Sequence, residues 1–215
     1  MGLQDDMHAA IAALHAASLG DASWEHALDR VITATGFAGA VLWSLRDRAD
    51  FVSGRTIWHR LDTAGKSDYL NHSAHIDPNV PLLDDPVTNR ILYDHLALPE
   101  AEMNRSEYYA WHEPASGMRY RLGGMTRPTL PFSAIVTLHR PKSHGHATDA
   151  EIDRFRLLFD HMEHALDVEY RLNLQRGMAG EIAAAATDAG CIILDHGGRP
   201  VFVNDTARQL APGVL

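Results

Sequence analysis

Most of the chain's aromatic side chains fall between Trp43 and Tyr120, with a few polar groups set among them. Trp43, Trp58, Tyr69, Tyr93, Tyr108, Trp111 and Tyr120, with Met118 and Met125, are of the types that wall an apolar pocket and stack on a small molecule. His72, Asp77 and Thr137 are the polar groups placed to fix the orientation of such a molecule. Each aromatic is equally at home as ordinary core. Asp77, directly before Pro78, equally caps the turn it opens.

The chain has 14 histidines, and His72/His75 and His161/His164 stand at i, i+3, a spacing that can supply two metal ligands from one helical face. No HExxH or Cys/His cluster completes a site, and His144-Gly-His146 reads as a solvated loop, so neither metal nor cofactor is expected. Gly-x-Ser-x-Gly and the phosphate-loop pattern are missing, and Gly36-Phe37-Ala38-Gly39 lacks the rest of a dinucleotide fingerprint. Ser116-Gly117 sits in a helix-to-strand turn without a recognisable base. These residues point to a binding module rather than an enzyme.

The elements that must position the aromatic set can be read from periodicity. Leu3, Met7, Ala10, Ile11, Leu14 and Ala17 predict a first helix ending near Gly20. Ser23 predicts the cap of a second, with Trp24, Ala27, Leu28, Val31 and Ile32 as its stripe and Gly36 closing it. Phe37–Leu45, a polar turn at Arg46–Asp50 and Phe51–Trp58 predict a hairpin whose first strand is covered on both faces. A proline-rich loop with short helical turns follows, then a short strand at Arg90–Asp94 and a helix capped by Ser106 that stops in a Pro/Gly turn. Met118–Thr126 and Phe132–His139 predict two more strands, the first carrying Gly123-Gly124, a signal for a bulge or a close approach. Thr148 predicts the cap of a long helix with Phe155, Phe159, Met162, Leu166 and Leu172 as a candidate dimer seam, or as a cover for the sheet. Gly190–Asn204 predicts a small hairpin, with Asn204 capping a last helix.

Composition sets the outer bounds. With 215 residues, 46% hydrophobic and 22% charged, the chain can bury one substantial core plus an appendage. A net charge of -9 argues against these residues gripping nucleic acid, since neutralising phosphates takes clustered Lys and Arg. MGLQDDMHAA has no apolar signal core, and no run reaches the roughly 18 apolar residues of a membrane span. The single cysteine, Cys191, cannot form an internal disulfide and fits a cytoplasmic location, and Ile192, Ile193 and Leu194 beside it suggest a buried strand thiol.

The order of helix pair, hairpin, Asp-Pro loop, Ser106-Glu-Tyr-Tyr helix, Gly117-Met-Arg-Tyr-x-Leu-Gly-Gly strand, Thr137-Leu-His-Arg-Pro strand and long helix resembles a GAF-like sensor region. It is similar to the sensory half of bacterial LuxR-type helix-turn-helix regulators. The resemblance implies an α/β (α+β) fold, a GAF/PAS-like antiparallel sheet sandwiched by helices. It would run as a ligand-sensing domain over 1–147, signalling and dimerisation helices over 148–188 and an incomplete PAS-like fragment over 189–215. Ile192–Asp195, Gly198-Arg199, Val201–Val203 and Asn204 match that fragment. It further implies a small apolar or aromatic effector, a homodimer, and DNA contact only through a domain outside these residues. A second resemblance, to acyl-homoserine lactone receptors, rests on Asp77-Pro78, on Tyr93-Asp94 where those proteins have a tryptophan, and on Thr137 in the last strand. A ligand-free dimerisation module is the remaining alternative.

Overall fold

The computed structural model describes residues 2–45, 55–62, 66–71, 73–84, 90–128, 130, 132–187, 189–194 and 200–210. The turn expected at 46–50, His72, and Asp195, Gly198 and Arg199 lie outside the described residues.

Helices α1 (Leu3–Leu19) and α2 (Trp24–Thr35) form where their apolar stripes predict them. The Ser23 hydroxyl accepts the His26 backbone N–H, and Gly36 adopts the left-handed conformation that ends α2. They feed β1 (Gly39–Leu45), which pairs with β2 (Arg55–His59) as a hairpin. Helix α3 (Lys66–Asn71) and two 3-10 turns, Ser73–His75 and Val80–Asp84, cross to β3 (Ile91–Tyr93). Short helices α4 (Asp94–Ala97) and α5 (Glu100–Met103) precede α6 (Glu107–Ser116). The expected Pro/Gly turn is therefore later than read. Pro114 stays inside the helix because the N–H it lacks would have met the carbonyl of Ala110 on the exposed side.

Strands β4 (Tyr120–Met125) and β5 (Ser133–Arg140) complete a five-stranded sheet in the order β2-β1-β5-β4-β3, antiparallel at every pairing. The strands alternate, and the two faces separate cleanly. Ala40, Leu42, Leu122, Val136 and Leu138 join α1, α2 and the following long helix in the main core. Val41, Trp43, Met125 and Ile135 point the other way, toward α3 and the Val80–Asp84 turn. The result is the expected antiparallel sheet between two layers of helix.

Helix α7 (Asp149–Thr187) is 39 residues long, roughly 58 Å at 1.5 Å per residue. Its start is a reciprocal cap. The Thr148 backbone N–H donates to the Glu151 carboxylate, and the Glu151 N–H returns to the Thr148 hydroxyl. Phe155, Phe159 and Met162 have no exposed surface and Leu166 is 3% exposed, so these four candidate dimer residues belong to this chain's own core. The sheet needs a cover on that face, and the stripe supplies it. Leu172, beyond the core, is half-buried.

The second half of α7 carries β6 (Ile192–Leu194) and β7 (Pro200–Val203), and α8 (Asp205–Leu210) follows. Gly180 is small for this reason, since a Cβ there would stand 2.5 Å from Ile193 Cδ1. The Asn204 carboxamide oxygen accepts from the N–H groups of Ala207 and Cys191, capping α8 as expected and tying it to β6. Cys191 is only half-buried, because the two-stranded hairpin leaves its outer face open. Among the described residues no helix is long and apolar enough to cross a membrane.

Candidate functional site

Strand register builds the floor of a cavity. Trp58, Val41, Thr137, Gly123 and Leu92 stand opposite one another across all five strands, and all five line the same cavity. Two residues along on the same face, Trp43 opposes Ile135 and Ile135 opposes Met125. Two residues the other way, Gly39 opposes His139 and His139 opposes Arg121. The floor thus grades from apolar at one end to polar at the other. Helix α6 roofs it with Tyr108, Trp111, His112, Ala115 and Ser116, and Tyr69, Asp77, Val80 and Leu83 close the side. The cavity measures about 90 Å³, on a scale where one water needs about 10–15 Å³.

An aromatic chain runs round this space. Trp58 and Trp43 lie 6.1 Å apart edge to face, Trp43 and Tyr69 6.1 Å, and Tyr69 stacks on Trp111 at 6.2 Å. Tyr108 stacks on His112 at 5.2 Å, and His112 faces His139 at 5.8 Å. These centroid separations are those of favourable ring pairs.

The polar end is organised by Arg121. Its guanidinium donates to both oxygens of Asp77 at 2.7 and 2.9 Å and to the Tyr108 hydroxyl at 2.8 Å. Asp77 also accepts from the Tyr69 hydroxyl at 3.1 Å and from the Asn79 backbone N–H at 2.9 Å, so the turn cap and the ion pair are one feature. Asp94 accepts from the Arg121 backbone N–H and the Tyr109 hydroxyl, fastening α4 to β4. Burial alone would lift the Asp77 carboxyl, but the Arg121 charge and the hydrogen bonds from Arg121 and Asn79 hold it down at about 2. At Asp94 burial prevails over Arg121, and its carboxyl rises. Burial, then the Arg121 charge, bring His112 down to about 3. Burial, then His112 and Arg121, push His139 well below its ordinary value. Both imidazoles are neutral at pH 7.

Three buried polar atoms of cavity-lining residues make no hydrogen bond, Trp58 Nε1, His112 Nε2 and His139 Nδ1, while Arg121 Nε has only the Asp94 carboxylate beside it at 3.6 Å. Six others are scattered among the remaining described residues. The Ser116 hydroxyl donates to the His112 carbonyl and accepts the Met118 N–H. Among the described residues no group of three or more His, Cys, Asp or Glu could hold a metal ion.

Eight of the candidates read from sequence meet at the cavity: Trp43, Trp58, Tyr69, Asp77, Tyr93, Tyr108, Trp111 and Thr137. Met125 shares their face but packs against Val41, Trp43 and Ile135. Tyr120 falls on the opposite face by alternation and lies near Glu100 and His146. Met118 precedes β4 and does not line the cavity. His72 lies outside the described residues. Sequence reading passed over Arg121, His112 and His139. Their signals were present: Arg121 alternates with Gly123 and Met125, His139 with Thr137, and His112 follows Tyr108 by one helical turn.

No family model and no curated protein matches the chain. Among solved structures it is similar to the N-acylhomoserine lactone-dependent LuxR-family transcription factor CepR2 from Burkholderia cenocepacia. Identity is 18%, over 76% of this chain and 92% of that one, with a TM-score of 0.49. A likeness at this level carries no functional inference.

Proposed function

We propose that this chain is a small-molecule-sensing unit without catalytic activity, whose effector is apolar or aromatic and enters the cavity between α6 and the sheet. The carrying observation is the aromatic-walled space with unpartnered polar atoms gathered at its edge. Strand β5 couples that space to the long helix. Ile135, Thr137 and His139 face the cavity, while Val136 and Leu138 pack in the core with Phe155 and Phe159. At the strand's end Arg140 donates to Glu151 in the first turn of α7 at 2.9 Å. An effector that shifts β5 would shift the pose of α7, and with it a dimer and a DNA-binding domain outside these residues. In this reading 1–147 sense, 148–188 transmit and 189–215 begin the connection onward, in the cytoplasm.

Asp77 bears on the lactone alternative. Both of its oxygens are taken by Arg121, Tyr69 and Asn79, which favours an effector recognised by other groups of the cavity.

The test is a thermal-shift and native mass-spectrometry screen of the chain against alkylbenzenes, steroids and acyl-lactones, beside a Val41→Phe variant that fills the floor. A ligand at 100 times its Kd should stabilise the wild type by about 2.7 kcal/mol and leave Val41→Phe unshifted. No stabilisation by any class would leave the ligand-free dimerisation module as the reading, and equal stabilisation of the filled variant would place the ligand outside this cavity.

A further inference from the structure

Resting on that reading, we propose that the effector carries an uncharged hydroxyl on an apolar body, and that His112 Nε2 and His139 Nδ1 receive that hydroxyl. The two rings approach from different elements, α6 and β5, with centroids 5.8 Å apart. Both rings are buried, at 6% and 7% exposure, both residues line the cavity, and neither nitrogen has a hydrogen-bond partner.

The remaining contacts select the group. His139 Nε2 is paired with the Thr137 hydroxyl at 2.8 Å. If that nitrogen donates, Nδ1 is a bare acceptor, and if it accepts, Nδ1 carries the proton. A guest hydroxyl both gives and takes a hydrogen bond, so it satisfies either tautomer. A carboxylate only accepts, and it would find no spare cation, because the Arg121 guanidinium is matched by Asp77 with Asp94 beside it. A second anion would meet those two carboxylates. The apolar body has room along the graded floor toward Trp43 and Ile135.

The probes are 4-propylphenol, 4-propyltoluene (hydroxyl replaced by methyl) and 4-propylbenzoate, titrated calorimetrically into the wild type, His112→Phe and His139→Phe. Phenylalanine keeps a flat ring in each place, including the His112 stack on Tyr108. The expected result is wild-type preference for the phenol over both controls by about tenfold, with the preference over the toluene lost in each variant. Binding of the phenol and toluene with equal affinity by the wild type, or an unchanged preference in either folded variant, would overturn the hydroxyl assignment and leave the sensor reading standing. Binding of none of the three, with no stabilisation in the wider screen, would overturn both.

Discussion

Arg121 is a charged side chain in the middle of a strand whose six residues are all buried, and the surroundings explain how it is tolerated. Two carboxylates and the Tyr108 hydroxyl receive it, and its guanidinium lies 4.8 Å over the Tyr108 ring. The same positive charge, added to burial, keeps His112 and His139 neutral. In the unfolded chain an imidazole takes up a proton near pH 6.5, whereas folded His112 does so only at about 3. Between these values the unfolded state holds more protons, so stability is present above about pH 6.5 and is lost as pH falls toward 3. Asp77 contributes stability of its own above about pH 4, lost as pH falls through its folded value of about 2. Urea unfolding followed from pH 7 to pH 4.5 should therefore show a falling midpoint in the wild type and a shallower fall in His112→Phe. Parallel slopes would mean that the ring is protonated in the folded protein.

Among the elements, β4 and α7 fit each other through a missing side chain. A Cβ on Gly124 would stand 2.9 Å from the Phe159 ring, itself fully buried. The sequence signal at Gly123-Gly124 was read as a bulge or a close approach, and the outcome is a regular ladder with an aromatic ring pressed onto it. Gly124→Val should lower stability by about 1–3 kcal/mol by overpacking, and Phe159→Leu in the same chain should recover part of that loss. Thermal unfolding of the two single variants and the double variant checks this, and strictly additive losses would argue against the contact. The short helices α4 and α5 had little periodicity to betray them. They are held by tertiary bonds instead, from Asp94 to β4 and from Glu100 to Arg119.

For the whole molecule, the unsettled surface is the outer half of α7. Its inner half is closed inside this chain's core, while Leu174 and Met178 are 51% and 62% exposed beyond it. The proposed dimer would use that half, as a two-helix seam of the kind apolar side chains make along a long helix. Sedimentation velocity should find a dimer at micromolar concentration for the wild type and a monomer for Leu174→Glu/Met178→Glu. Unfolding of the variant monomer should be unchanged, because neither side chain supports the core. A wild type that sediments as a monomer would remove the dimer from the proposal.

Much of the architecture was legible in the chain before any coordinates. Helical stripes at Leu3–Ala17, Trp24–Ile32 and Ile152–Leu166 and the apolar, β-rich runs of β1 and β5 are local signals. They follow from the helical period and the β-forming residue types that each segment carries alone. The caps at Ser23, Thr148 and Asn204 are local in the same sense. The aromatic wall was visible as composition, and six of its proposed members, with Asp77 and Thr137, line one cavity. Only the tertiary structure could decide which polar groups share the cavity. Asp77, His112, Arg121 and His139 come from a loop, a helix and two strands far apart in the chain, and strand register together with the placement of α6 brings them together. The fate of the α7 stripe was likewise a tertiary matter. The same apolar residues can face a partner helix or their own sheet, and the sheet's uncovered face took them.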